Sequence, residues 1–246
     1  MINQLAHHLL RGYSWGLGAR QSGEEITDPS QLKNLGSGVL GDEIYKDFES
    51  FFSAETTFPQ CFEDLDGLVD RYSGLADIEE YLSDLLVLKL IREDDSEDED
   101  FLVLEKWDDA EDEMLERGSE LLNFLVYLKD CKETRQTPSL EDFLNDFLLI
   151  SDDEFQDEFF IYEDFIKHQG LIDGDVREII KAGAHLDDPE MQGIFVPIMM
   201  FFRNQEMRSS RNLLDLINLS PLPDIHVAIY HLCNKFYLLQ EEDTGN

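Results

Sequence analysis

Ile78-Glu-Glu-Tyr-Leu-Ser-Asp-Leu-Leu86 and Leu140-Glu-Asp-Phe-Leu-Asn-Asp-Phe-Leu148 align without a gap, and every pair of positions is identical or chemically similar. In both blocks apolar residues recur at three- and four-residue spacing, which gathers them on one face of an α-helix. Over residues 77–91 the apolar face holds Ile78, Tyr81, Leu82 and Leu85, with Lys89 pointing outward. Each block leads into an acidic stretch and then an apolar-aromatic run, Phe101-Leu-Val-Leu-Glu-Lys-Trp107 after the first and Phe159-Phe-Ile-Tyr-Glu-Asp-Phe165 after the second. An internal duplication over 75–131 and 138–186 is one explanation; convergence of acidic amphipathic helices on a common pattern is the other.

The segments after the two blocks read in two ways. A helical face continues through Leu104, Trp107, Met114 and Leu121. Alternatively, residues 86–107 and 149–165 form short β-hairpins, making each unit a helix followed by a hairpin. Periodicity alone leaves Phe101-Leu-Val-Leu104 open between the two. A helix with a hairpin is the layout of a winged helix, but a DNA-reading wing is basic and these segments are strongly acidic.

Outward from the blocks the helical period persists. It appears in Leu5, Leu9 and Leu10, in Ile44, Phe48, Phe51 and Phe52, and in Phe62, Leu65 and Leu68. Residues 121–128, 155–166 and 225–239 show it again. Thr27-Asp28-Pro29, Pro138-Ser139 and Pro223-Asp224 are helix-start signals, while Gly118, Gly170 and Gly174 mark breaks. The expected fold is therefore mainly α, a multi-helix globular protein with room for one or two hairpins.

The chain has 246 residues, 55 Asp and Glu against 19 Lys and Arg, and a net charge of −36. Phosphate neutralisation supplies most of the affinity of a nucleic-acid backbone binder, so that class is excluded, and an anionic membrane surface repels such a chain for the same reason. Aromatic residues make up 11%, too many for an acidic disordered chain. The charge is uneven. Residues 1–40, an N-terminal helix and Gly-rich segment, carry three acids and three bases; residues 41–188 carry 45 and 12; residues 189–246 carry seven and four. The last region, rich in Ile, Leu, Met and Phe, is expected to pack on the rest as a buried helical element or to form a partner interface. Its uncharged run, 191–202, contains Pro197 and is shorter than the roughly 20 residues of a membrane span.

Cys61, Cys131 and Cys233 are odd in number and far apart, which suits a reducing cytosol better than a disulfide framework. The first 22 residues hold two arginines and no acid, as a transit peptide does, but an amphipathic first helix followed by a Gly-rich loop accounts for them more simply.

Four motif matches lack their context. Gly12-Tyr-Ser-Trp-Gly16 has the G-x-S-x-G pattern, yet no sheet can be built ahead of Ser14. Gly36-Ser-Gly-Val-Leu-Gly41 has G-x-G-x-x-G, but Asp42 and Glu43 stand where pyrophosphate would go. Gly18 and Gly23 have phosphate-loop spacing, with Glu24 and Glu25 in place of the phosphate- and Mg²⁺-binding residues. Residues 94–105 place oxygens as in a calcium loop but put Glu99 where the turn requires glycine. His7-His8 and the His226/His231 pair have no ligand spacing on one helix face. No catalytic residue, cofactor or metal is therefore assigned.

The function expected on these grounds is non-enzymatic: a subunit, inhibitor or immunity-type factor that binds a basic protein through an acidic surface interleaved with aromatics. The residues assigned to it are Asp94, Asp95, Glu97, Asp98, Glu99 and Asp100 in one segment, and Asp152, Asp153, Glu154, Phe155, Asp157 and Glu158 in the other. The alternatives are a nucleic-acid mimic that blocks a DNA-handling protein, a winged-helix-like accessory subunit of a nucleic-acid-associated complex, and an enzyme of unrecognised type.

Overall fold

The computed structural model describes residues 1–28, 30–36, 38–54, 60–94, 119–148, 155–203 and 210–243, and most of these are helical. These residues contain twelve α-helices, two 3-10 helices and no β-strand. In order they are α1 (Ile2–Ser22), α2 (Ser30–Gly36), α3 (Asp42–Ser53), α4 (Gln60–Arg71), a 3-10 turn (Ser73–Ile78) and α5 (Glu79–Asp94). Then follow α6 (Glu120–Glu133), α7 (Leu140–Leu148), α8 (Phe155–His168), a second 3-10 turn (Gln169–Asp173), α9 (Val176–Gly183), α10 (Pro189–Arg203), α11 (Ser210–Leu219) and α12 (Pro223–Asp243). The mainly α expectation holds. Residues 86–94 and 155–165 are helical, so the hairpin option finds no strand among the described residues; 95–107 and 149–154 lie outside them.

The chain divides into two compact units, residues 1–8 with 41–126 and residues 9–40 with 127–246. The join at 40/41 coincides with the step in charge. The first unit has 28 acids against six bases, a net of −22; the second has 27 against 13, a net of −14.

In the first unit, α3 buries Ile44, Phe48 and Phe52, one residue per turn, and turns Asp42, Glu43 and Glu49 to solvent. Helix α4 buries Cys61, Phe62, Leu65, Leu68 and Val69 and exposes Glu63, Asp64 and Asp70. Helix α5 departs from this alternation, because every described side chain from Tyr81 to Lys89 is buried. Two charges go in with it. Asp84 accepts hydrogen bonds from the Ser119 amide (2.8 Å) and hydroxyl (2.5 Å), so its carboxylate ties α5 to the start of α6. Lys89, expected to face water, is only 8% exposed; its Nζ donates to the Ala54 carbonyl at 2.6 Å, at the C-terminal end of α3, where the free carbonyls of the helix favour a cation.

In the second unit, α10 and α12 pack on each other with their apolar residues buried almost all round. Helix α10 buries Met191 and residues 193–202, and α12 buries Val227, Ala228, Ile229, Leu232, Cys233 and Phe236 among others. Burial of each large apolar side chain contributes roughly 1.5–3 kcal/mol, enough over so many residues to carry Pro197 inside α10 despite a local cost of about 3 kcal/mol. Within 189–246, α10 and α12 are thus buried helices. Around Phe143 of α7 cluster Tyr127, Tyr162, Phe165 and Phe202, with ring centroids 5.2–6.3 Å away.

The two similar blocks fall in different units and use corresponding positions for burial: Ile78, Tyr81 and Leu82 in one, Leu140, Phe143 and Leu144 in the other. They begin differently. The first follows a 3-10 turn, whereas Ser139 caps the second, accepting from the Asp142 amide (3.1 Å) and donating to the Asp142 carboxylate (2.7 Å).

The first helix is longer than its sequence suggests. Instead of ending before a Gly-rich loop, α1 runs through Gly12, Gly16 and Gly18 to Ser22. Glycine is tolerated there because α12 and α2 come too close for a side chain. A Cβ on Gly12 would lie 2.7 Å from Ala228 Cα and from the Val227 carbonyl oxygen. One on Gly16 would meet the Pro223 carbonyl and the Asp224 backbone, and one on Gly18 the Leu35 carbonyl.

Candidate functional site

Most residues assigned from sequence to partner binding fall outside the described part of the chain. Asp95, Glu97, Asp98, Glu99, Asp100, Asp152, Asp153 and Glu154 lie outside the described residues. The backbones of Asp94 in α5 and of Phe155, Asp157 and Glu158 in α8 are helical, and their side chains lie outside the described ones. The acidic character reappears on described surfaces. In the first unit eight carboxylates are exposed: Asp42, Glu43, Glu49, Glu63, Asp64, Asp70, Asp77 and Glu80. Lys46 and Arg71 are the exposed cations described in that unit, and Arg71 is held at 3.0 Å by Asp47, which also accepts from the Tyr72 hydroxyl at 2.7 Å. That hydrogen bond raises the Tyr72 pKa, because it favours the protonated phenol beside the carboxylate.

The aromatics among the acids do not share this surface where they are described. Phe143, Tyr162 and Phe165 are buried in the second unit. Leu219, at 41% exposure, is the exposed large apolar residue among the described ones. In the first unit Tyr45, Phe51 and Tyr72 are half-buried, so exposed charge rather than exposed aromatic surface marks its described residues.

The motif residues take structural roles. Ser14 of the G-x-S-x-G match is buried in mid-helix and donates to the Gly36 carbonyl at 2.9 Å, so α1 is tied to the end of α2. Gly36, the first glycine of the G-x-G-x-x-G match, lies against Trp15 and Ser14. His231 packs its ring 4.9 Å from that of Trp15.

Sequence reasoning missed a polar network at the start of α12. Ser220 accepts from the Leu222 amide (2.9 Å) and donates to His226 Nδ1 (2.7 Å). Nε2 of His226 faces the Gln192 carbonyl at 2.8 Å; a carbonyl only accepts, so Nε2 carries the proton and Nδ1 receives one from Ser220. Burial pushes the His226 pKa down to about 4, partly opposed by the Gln192 contact. A serine bonded to an imidazole is half of a nucleophilic relay, but here the third member is a neutral carbonyl and burial opposes the imidazolium such a relay must form. What the network achieves is mechanical: it pins the first turn of α12 to α10. The signal in the sequence, Ser220-Pro-Leu-Pro-Asp-Ile-His226, is a capping turn with a histidine one turn further on.

Beside it, Asp224 is 1% exposed and pairs with Arg20 at 2.9 Å, while neither carboxylate oxygen accepts a hydrogen bond of good geometry. Its place in the first turn of α12 gives it the positive end of the helix dipole as well.

Several clefts lie among the described residues of the second unit. One of about 510 Å³ lies along Arg20, Glu24, Glu25, Asn218 and Pro221. Another, of about 800 Å³, lies between α8 and α9; His168 and His185 line it, each donating Nδ1–H to a carbonyl four residues back at 2.8 Å, and acids alternate with Lys167 and Lys181. A third, of about 410 Å³, runs between α9 and the α11–α12 turn. No cluster of three or more His, Cys, Asp or Glu able to hold a metal ion occurs among the described residues, and no described helix is long and apolar enough to cross a membrane. Comparison with protein-family models, with curated proteins and with solved structures finds no match to this chain.

Proposed function

We propose that this chain is a non-enzymatic acidic interaction protein, a subunit, inhibitor or immunity-type factor, that docks a basic protein partner in the reducing cytosol. The observation that carries this reading is the carboxylate surface of the first unit, eight exposed acids against two exposed cations among its described residues. Carboxylates at that density attract a basic surface from a distance and speed encounter, while adding little hydrophobic affinity. The three buried free cysteines agree with a reducing compartment. Residues 95–100, five of them acidic, follow α5 in the chain and extend the same charge along the sequence.

Affinity capture at low salt tests the proposal. The expected result is a basic protein in fixed stoichiometry, released as salt approaches about 0.5 M, where the screening length falls toward 4 Å, and retained when duplex DNA is added. Displacement by DNA would move the reading to a phosphate mimic. A partner retained at high salt would contradict a charge-driven interface.

A further inference from the structure

The cleft of about 410 Å³ in the second unit is set apart by what lines it. Its walls are Arg177, Lys181 and His185 of α9 and the following turn, with Ile180, Ala184, Leu219 and Pro221 supplying apolar surface and Ser220 at one end. No carboxylate is among the lining residues, although acids outnumber bases by 55 to 19 in the chain. The neighbouring acids Glu178, Asp187 and Asp188 line the larger cleft, which adjoins this one and shares Lys181 and His185 with it. Arg177 and Lys181 lie one helical turn apart, both exposed, and neither makes an ion pair among the described residues, whereas Arg20, Arg71, Lys129 and Lys167 each do. Leu219, the exposed large apolar residue noted above, lines this cleft and, with Ser220 and Pro221, also borders the one that holds Glu24 and Glu25. Unpaired cations and an uncovered apolar wall therefore meet in one place.

We propose that this cleft binds a small amphipathic anion, a carboxylate carried on an aliphatic body. Its volume is at the lower end of the roughly 300–1,000 Å³ of ligand pockets, which suits a small molecule. The guanidinium of Arg177 and the ammonium of Lys181 would receive the carboxylate, the former able to donate two parallel hydrogen bonds. The aliphatic body would lie on Ala184, Leu219 and Pro221, which are exposed, and cover apolar surface now in water. Affinity then requires both halves of the ligand at once. The inference is independent of the basic-partner reading, since it concerns a site of opposite charge.

Octanoate, acetate and 1-octanol, titrated separately into the isotopically labelled full-length protein and followed by NMR, decide it. Octanoate is expected to give saturable shifts centred on α9 and residues 219–221, with a Kd at least tenfold below that of either other probe. Arg177→Gln with Lys181→Gln is expected to weaken octanoate at least tenfold, while Arg211→Gln, on an exposed residue outside the cleft, leaves it within twofold. Equal binding of 1-octanol would reduce the site to apolar surface, equal binding of acetate to bare charge, and shifts that fail to saturate or fall elsewhere would remove it; each overturns the proposal. Should the double variant lose its helical circular dichroism, the three titrations of the unmodified chain still decide.

Discussion

Gly16→Ala is expected to destabilise the second unit by about 3 kcal/mol, although alanine is the better helix former by about 1 kcal/mol. The new Cβ would lie 2.5 Å from the Asp224 amide nitrogen and press on the Pro223 carbonyl as well. Both are backbone atoms, so relief requires α1 and α12 to separate rather than a side chain to rotate. Separation would disturb the start of α12, where His226 is bonded to α10 and Asp224 is paired with Arg20. Gly67→Ala provides the opposite sign. Gly67 is exposed in α4, a Cβ there meets nothing within 4 Å, and the substitution is expected to stabilise the first unit by about 0.5–1 kcal/mol. Urea denaturation followed by circular dichroism measures both. Stability within about 0.5 kcal/mol of the parent for Gly16→Ala would show that the helices do not cross there, that figure being the range of an inconsequential substitution.

Acidification is expected to weaken the second unit before the carboxylates titrate. His226 binds a proton near its ordinary value of 6.5 when unfolded and only near 4 when folded. Between these values the unfolded state holds more protons than the native state, so the contribution is intact above about pH 6.5 and is lost as pH falls toward 4. At pH 5 the loss is on the order of 2 kcal/mol. With so many acids in the chain, other groups also respond to pH, and His226→Gln isolates this one because a glutamine side chain does not titrate. The difference in stability between the two proteins should shrink by that amount between pH 7 and pH 5. A difference that stays constant with pH would mean that His226 is not buried as a neutral ring.

The sequence was a good guide to which residues are helical and which faces are buried. Ile44, Phe48 and Phe52 in α3, and Phe62, Leu65 and Leu68 in α4, face inward as their spacing requires. Helix boundaries at Ser139 and Pro223 were also legible, because capping chemistry is local. Features set by distant segments were not. Gly12 and Gly16 look like a motif or a loop until α12, more than 200 residues away in the chain, is laid across them. Lys89 follows the pattern of a solvent-facing lysine, but α5 is buried on the side where Ala54 offers a carbonyl. The small cleft joins α9 to a turn some forty residues later, and its character depends on an absence of acids that no local pattern records. The acidic character of the described surface was visible in the composition; the burial of Phe143, Tyr162 and Phe165 was not.

The central claim, that carboxylates of the first unit carry the interaction, is tested most directly by measuring the Kd of the captured partner across salt. The comparison is between the parent chain and one bearing Asp42→Asn, Glu43→Gln, Glu63→Gln and Asp64→Asn, all exposed positions. The predicted result is a Kd that rises at least tenfold between about 50 mM and about 500 mM salt for the parent, and a weaker, flatter dependence for the variant. A Kd that is insensitive to salt and unchanged by the four substitutions would contradict it.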